Sequence, residues 1–596
     1  MNMELARRVA DAIKHLGVEA DPLIRPVQDP RFGHYQSNCA MGLAKRLGRK
    51  PRDVATSLVE HLDVADMCDR PEIAGPGFIN FRLTPVYMAA ALSAIPRADD
   101  PRHDRLGIAP TATPEVVVVD LSSPNLAKEM HVGHLRSTVI GDCIARILEF
   151  AGHTVHRENH VGDWGTQFGM LVAYLRRTDP DIARHPDNLA IGDLETFYVR
   201  AKSLFDADEG FRTASRDAVV ALQRGDEETR RIWRAFCDES LRHCHRIYER
   251  LGVRLIDRGE SFYNDYMADV TRRLEDMMRA APDGPVRISE GALCVFTDGF
   301  ATRDGAPLPL IVRKSDGGFN YATSDLAAIL HRMEHVGADR IIYVVGMSQS
   351  QHFAMVFAAA RRVGWVAPEK TLQHLGFGNM LGDAGRPFKT RDGGTIKLKD
   401  LLDEAVARAR RVVEAAQGSD TGPTRRYTSD VIDRIAETVG IGAIKYFDLS
   451  HALAGDYKFD FDTMLSLEGN TAPYMLYAYA RVRAIGRRAG VDLATLPADA
   501  PITLEHPSEI ALAVVLLRFA EVVETAGREL RPNVLTDYLF ELAKAFSRFY
   551  DKKLGVRIVD ASPPARRVSR LKLCDLTART LAVSLRLLGI ETLEQM

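Results

Sequence analysis

The segment with the clearest chemical content is Leu121 to His134, LSSPNLAKEMHVGH, in which His131 and His134 flank Gly133. It follows EVVVVD, Glu115 to Asp120, a run of valines suited to a strand buried on both faces. A helical pattern from Gly133 to Phe150 comes next, with Leu135, Val139, Ile140, Ile144, Ile147 and Leu148 on one face. A loop entering a helix offers free backbone N–H groups and a positive dipole end to a phosphate. Imidazole donors beside it suit charge developing on a transferring phosphoryl group, and a glycine lets a flat base approach. Alone, the string is equally compatible with surface or helix-capping histidines; the strand before it and the helix after it favour an adenine-nucleotide site. The Cys/His cluster Cys237, His243, Cys244 and His245 lacks paired C-x-x-C spacing and reads as structural, so no metal ligand is assigned.

These residues need a frame. A chain of 596 residues should hold three or four domains, and 46% apolar with 27% charged residues is ordinary globular composition. Lys plus Arg number 78 against 80 Asp plus Glu, a net charge of -2, so any nucleic-acid surface must be local. No apolar run approaches the ~20 residues that cross a bilayer, and Met1 to Leu16 reads as a folded amphipathic helix. Seven scattered cysteines fit reduced thiols in a cytoplasm.

The expected fold is multidomain α/β. Residues 1–95 form a small α+β domain ending in the strand-like Gly77 to Phe81, and Pro96 to Pro114 is a linker. Residues 115–400 form a Rossmann-type, doubly wound parallel sheet, with further parallel strands at Pro309 to Arg313 and Arg340 to Val345 and a helix from Ser324 to Val336. A helical insertion occupies about 179–252. After a break at Gln417 to Thr424, residues 425–596 form an all-α domain including Ser508 to Leu530 and Leu573 to Leu588.

SSPNLAKEMHVGHLRST resembles the extended H-I-G-H signature of class I aminoacyl-tRNA synthetases, specifically the arginyl-tRNA synthetase family. In order follow ENHVGDWGTQ from Glu158, RGESFY from Arg258, YATSDLAA from Tyr321, FKTRDGGTIKL from Phe388, EGNTAPYMLYAYARV from Glu468 and the terminal LLGIETLEQM. The matches span nearly the whole chain.

The resemblance implies ATP-dependent activation of L-arginine to arginyl-adenylate, then transfer to the 3' terminal ribose of tRNA(Arg). A guanidinium is best held by carboxylates accepting parallel N–H bonds. Glu260 and Asp325 match the family's guanidinium-binding positions, with the Tyr321 hydroxyl beside them, and Asn125 and Gln349 match contacts to the α-amino end. Outside the family, Glu260 and Asn125 would be turn residues, Asp325 a helix cap and Gln349 a loop amide. For ATP the resemblance implies His131, Gly133, His134 and Lys389, with His352 as a neighbour. The K-M-S-K-S loop is replaced by Phe388-Lys389-Thr390-Arg391, and Lys128 stands where arginyl members carry a compensating lysine. The implied catalytic set is therefore Lys128, His131, His134, Lys389 and Arg391. In any other setting Lys128 and Lys389 would be solvated surface charge.

Magnesium would arrive with ATP, held by phosphates and water. Tyr474, Tyr477, Arg481 and Met596 are the implied anticodon contacts, although aromatics at 474, 477 and 479 could equally be core. Phe78 and Asn80 would touch the tRNA elbow, and Arg481, Arg483, Arg487, Arg488, Arg566, Arg567, Arg570 and Lys572 would give the helical domain a phosphate-binding part within a neutral whole. A cytoplasmic monomer that needs tRNA to activate arginine is expected. A non-catalytic tRNA-binding relative would not need the intact histidines. A small-molecule nucleotidylyltransferase would leave the helical C-terminal domain without a task.

Overall fold

The computed structural model describes the chain except at residues 1, 28, 187–188, 190–193, 383–384, 386–395, 418–426 and 555. The valines form the strand Val116–Asp120, at the centre of a five-stranded sheet. Its order is Thr371–Phe377, Arg340–Gly346, Val116–Asp120, Thr154–Asn159, Ile256–Asp257, every pair parallel. The chain winds outward first through Thr154–Asn159 and Ile256–Asp257, then returns to the other side of the valine strand. That reversal opens a crevice beyond the carboxyl ends of Val116–Asp120 and Arg340–Gly346, where ligands bind in open α/β sheets.

The signature helix, Val132–Ala151, starts at the crevice and ends on Gly152, at φ 103. Gly141 lets it lie on the loop below, since a Cβ there would be 2.5 Å from Leu121 Cβ. A mid-helix glycine costs roughly 1 kcal/mol of propensity, so close packing is the reason for it.

Two sheet members, Thr154–Asn159 and Thr371–Phe377, have no apolar run and were not legible as strands. The expected parallel strand at Pro309 to Arg313 is corrected. Leu310–Arg313 pairs antiparallel with Ala292–Val295, in a separate three-stranded sheet completed by Val286–Ser289. Leu310 and Val312 are buried while Ile311 is exposed, the alternation of a sheet with one wet face.

Beneath the crevice, the fully buried Arg332 joins helix Tyr321–Glu334 to the sheet. Its Nη2 lies 2.7 Å from Asp120 Oδ2 and its Nε 2.8 Å from Glu158 Oε2. Arg332→Met should therefore lower unfolding stability by about 3–5 kcal/mol, because two buried carboxylates lose their counter-charge. A denaturant midpoint unchanged from wild type would refute this.

By contacts the chain forms two compact units. One holds Pro110–Leu465 and Leu587–Ile590, including the insertion helices Leu194–Ala207, Glu209–Arg224 and Glu227–Leu251. Helix Ser429–Leu449 packs here on Leu398–Gln417, so the helical C-terminal portion separates at Ser466 rather than near residue 425. The other unit joins Met1–Ala109 to Ser466–Arg586 and Glu591–Met596. Its four-stranded sheet runs Ile24–Pro26, Tyr35–Ser37, Phe78–Phe81, Glu72–Ala74, all antiparallel. The stretch read as a linker is tied down here: buried Asp104 accepts from Arg579 Nε at 2.6 Å. The helix expected over Ser508 to Leu530 is two, Pro507–Leu517 and Phe519–Glu529.

Candidate active site

His131 is the N-cap of the signature helix. Its Nδ1 accepts from Gly133 N at 3.0 Å, and His134 Nδ1 accepts from His131 N at 3.1 Å, a reciprocal capping box built from two imidazoles. A ring whose Nδ1 accepts carries its proton on Nε2, so each histidine keeps one N–H donor free of the cap. Burial disfavours the imidazolium. It lowers the pKa of His131, helped by the charge of Lys128, and holds His134 at about 3. The rings lie 4.0 Å apart between centroids. The capping reading and the phosphate-donor reading are thus compatible. A Cβ on Gly133 would meet His131 Cε1 at 2.7 Å, so glycine is needed to keep that ring in place.

The turn before the helix is strained: Ser122 and Ser123 have φ of 68 and 51. Ser137 Oγ accepts from Ser122 N at 2.8 Å and Asn159 Oδ1 from Ser123 N at 2.9 Å, which over-determines the turn. Lys128 is exposed, its Nζ 4.7 Å from the Tyr198 ring centroid. Residues 396–398 are stitched to the signature loop, Val132 N donating to Ile396 O and Leu398 N to Met130 O, while Lys397 Nζ is 3.0 Å from Glu129 Oε2. Lys389 and Arg391 lie outside the described residues.

Glu260 opens the short 3-10 turn Glu260–Tyr263, its N–H donating to Val161 O at 3.0 Å. Asp325 stands in the first turns of helix Tyr321–Glu334. The two acids, 65 residues apart in the chain, share a neighbourhood. Burial first, then the charges of Asp163 and Asp325, push Glu260 up to about 7. Among the described residues the Glu260 carboxylate has no hydrogen-bond or ion-pair partner. His352, expected beside the nucleotide, is bound to one of these acids: its Nε2 lies 2.6 Å from Asp325 Oδ2, which raises its pKa.

Tyr321 is one turn ahead of Asp325, on the same helix face, and 73% exposed. Gln349 is exposed at the end of the turn following Arg340–Gly346. Asn125 pairs with Gly162, and its Oδ1 accepts from Ala127 N at 3.1 Å, leaving the amide N–H₂ unengaged by described residues. The residue that sequence reasoning missed is Asp163: the string ENHVGDWGTQ contained it, but a lone Asp between glycines carries no signal of its own. Among the described residues no group of three or more His, Cys, Asp or Glu could hold a metal ion.

In the other unit, Tyr474 and Phe540 have centroids 6.0 Å apart, Tyr477 is exposed, and Arg481 lies over Tyr550 at 4.8 Å. Tyr479 is core: buried, its hydroxyl donates to Glu594 Oε1 at 2.6 Å, anchoring the tail two residues before Met596. Phe78 is half-buried, and buried Asn80 accepts from Gln36 Nε2 at 2.7 Å. Of the basic residues expected near phosphates, Arg566 pairs with Glu505 at 2.6 Å, Arg567 donates to Ala489 O at 2.7 Å, Arg570 pairs with Glu509 at 2.7 Å and Lys572 donates to Ala498 O at 2.9 Å.

Three family models match: class I (R) tRNA synthetase catalytic domain over residues 102–461, DALR anticodon binding domain over 475–596, and arginyl tRNA synthetase N-terminal domain over 3–83. An arginine–tRNA ligase of a Picosynechococcus species is 51% identical over 578 residues, spanning 97% of this chain and 96% of its own length. One from a Nostoc species is 49% identical, spanning 100% and 98%. The solved arginyl-tRNA synthetase of Plasmodium falciparum matches with a TM-score of 0.82 at 27% identity, covering 100% of this chain and 99% of its own. That of Thermus thermophilus matches at 0.81 and 27%, covering both chains fully at 100%. The chain belongs to the arginyl-tRNA synthetase family.

Proposed function

We propose that this chain is an arginine–tRNA ligase. It activates L-arginine with ATP to arginyl-adenylate and pyrophosphate, then transfers the arginyl group to the 3' terminal ribose of tRNA(Arg), releasing AMP. The observation that carries the reading is the Glu260 carboxylate, half-buried beside two further acids and without a cationic partner among the described residues. A guanidinium supplies that cation. Glu260 and Asp325 accept from its fork, Tyr321 adds a hydroxyl, and Asn125 and Gln349 orient the α-amino end.

The arginine carboxylate oxygen then bonds the α-phosphorus in line as the bond to the bridging oxygen breaks and pyrophosphate departs. Positioning and electrostatics suffice, with no covalent enzyme nucleophile. The Nε2–H groups of His131 and His134 stabilise the phosphate oxygens, Gly133 admits the adenosine, and Lys128, Lys389 and Arg391 offset the charge of the leaving pyrophosphate. Mg²⁺ comes with ATP, held by phosphates and water. In the second step a ribose hydroxyl attacks the adenylate carbonyl. Tyr474, Tyr477, Arg481 and Met596 face the anticodon, and Phe78 and Asn80 the tRNA elbow. The enzyme works as a cytoplasmic monomer.

Charging of purified tRNA with arginine, lysine, glutamine and citrulline in turn tests this. Arginine should be preferred over citrulline, its neutral isostere, by roughly 10³-fold or more, because a neutral side chain leaves buried acids unpaired. Comparable charging with all four would overturn the reading. ATP–pyrophosphate exchange with arginine should appear only when tRNA is added.

A further inference from the structure

Asp163 has no part in the reactions above, yet it is built into the pocket. It lies in the loop between strand Thr154–Asn159 and helix Thr166–Thr178 and is 7% exposed. One carboxylate oxygen accepts from Ser261 N at 2.8 Å, the other from Ser261 Oγ at 2.5 Å. On the other side of Glu260, the backbone of Gly259 passes so close that a Cβ there would lie 2.0 Å from Asp163 Oδ2. Asp163 thus holds Ser261 and lies against the backbone of Gly259, the two residues that flank Glu260. Behind it, Trp233 Nε1 donates to the Asp163 carbonyl at 2.7 Å.

The groups facing it carry no permanent positive charge: Glu260 on the turn, His160 on its own loop, and Cys237 from helix Glu227–Leu251, while Asp325 from helix Tyr321–Glu334 faces Glu260. His352 sits one contact further away, on Asp325. No described Lys or Arg pairs with Asp163. An unpaired buried carboxylate is expensive, and an asparagine would hold the Ser261 N–H at lower cost. The negative charge therefore has a use beyond the turn.

We propose that Asp163 is a positioning and specificity-setting residue of the arginine pocket, which fixes the Glu260 turn through Ser261 and adds a negative charge that favours a cationic side chain over a neutral isostere. It acts through Glu260 and touches no substrate. The inference rests on the arginine reading of the pocket.

Asp163→Asn keeps an acceptor for Ser261 N and removes the charge; Ser261→Ala keeps the charge and removes one hydrogen bond. For Asp163→Asn the arginine KM should rise about 10- to 100-fold, the size expected for one charge at the range of a near neighbour in a partly wet site. KM for ATP should stay within about twofold, and the arginine-to-citrulline preference should fall with the arginine term of kcat/KM. The acid limb of kcat/KM for arginine, set by Glu260, should move to lower pH, since a like charge that held the proton on has gone. Ser261→Ala should raise the arginine KM less and leave the acid limb in place.

An Asp163→Asn enzyme with unchanged arginine KM and unmoved acid limb overturns the proposal. So does a loss of kcat shared by all substrates. Should Asp163→Asn not fold, Ser261→Ala decides, and an arginine KM equal to wild type refutes the positioning role. Wild-type enzyme that does not prefer arginine would instead strike the functional reading itself.

Discussion

Replacing Glu260 by Gln should lower kcat/KM for arginine by about 10²- to 10³-fold, the cost of removing one partner from a desolvated ion pair, while KM for ATP changes little. Glutamine has nearly the same volume, so packing survives. Its amide turns an N–H₂ toward a guanidinium that has only donors. The proton bookkeeping gives a sharper signature. In the empty pocket Glu260 is pushed up to about 7. A bound guanidinium favours the carboxylate, so near neutral pH arginine binding must release a proton. Apparent affinity should therefore rise with pH through the region around 7 and level off above it. Calorimetry in buffers of different ionisation enthalpy should detect the released proton in wild type and none in Glu260→Gln.

The same shift acts on stability with the opposite sense. An acid whose pKa is raised by folding binds more protons in the folded state, so stability drops as pH rises from the ordinary carboxylate range toward 7. Glu260→Gln should consequently melt no lower than wild type at pH 8, and arginine should stabilise only wild type appreciably. A variant that melts earlier yet keeps its arginine KM would place Glu260 in the scaffold, not the pocket.

What was legible in the sequence follows from how locally each feature is encoded. Four consecutive valines and a 3.6-residue apolar pattern are local signals, and strand Val116–Asp120 and helix Val132–Ala151 formed where those signals lie. Thr154–Asn159 is polar along its length because Glu158 and Asn159 serve partners from distant segments, Arg332 and the Ser123 turn. No window of sequence carries that information. Leu310–Arg313 failed the other way: its apolar run was clear, but whether a strand joins the parallel sheet depends on which face stays wet, and Ile311 is exposed. In the pocket, Glu260 and Asp325 came from family resemblance, since only the fold brings together residues so far apart. Asp163 was missed because its significance is its burial and its grip on Ser261. The charges of Arg570 and Lys572 are visible in sequence, while their internal partners Glu509 and Ala498 are not.

The largest expected loss is at His134, where structure and chemistry share one ring. Its Nδ1 side completes the capping box, a role worth about 1 kcal/mol, while its Nε2–H is the donor offered to the phosphates. Alanine removes both and cannot separate them. Glutamine and glutamate do, because each can accept from His131 N as the third residue of a capping box. Both variants should fold with melting temperatures close to wild type. His134→Gln still presents an amide N–H and should lose roughly 10- to 100-fold in adenylate formation, less than the ~10²- to 10³-fold typical of a donor removed outright. His134→Glu brings a negative charge against ATP and should fall by more than about 10⁴-fold. Because burial keeps the ring neutral down to about 3, no limb of the pH profile above 5 should belong to His134. Single-turnover adenylate formation in the presence of tRNA measures the order directly: wild type, then Gln, then Glu. Equal rates for Gln and Glu, with both folded, would mean that the ring acts only as a helix cap.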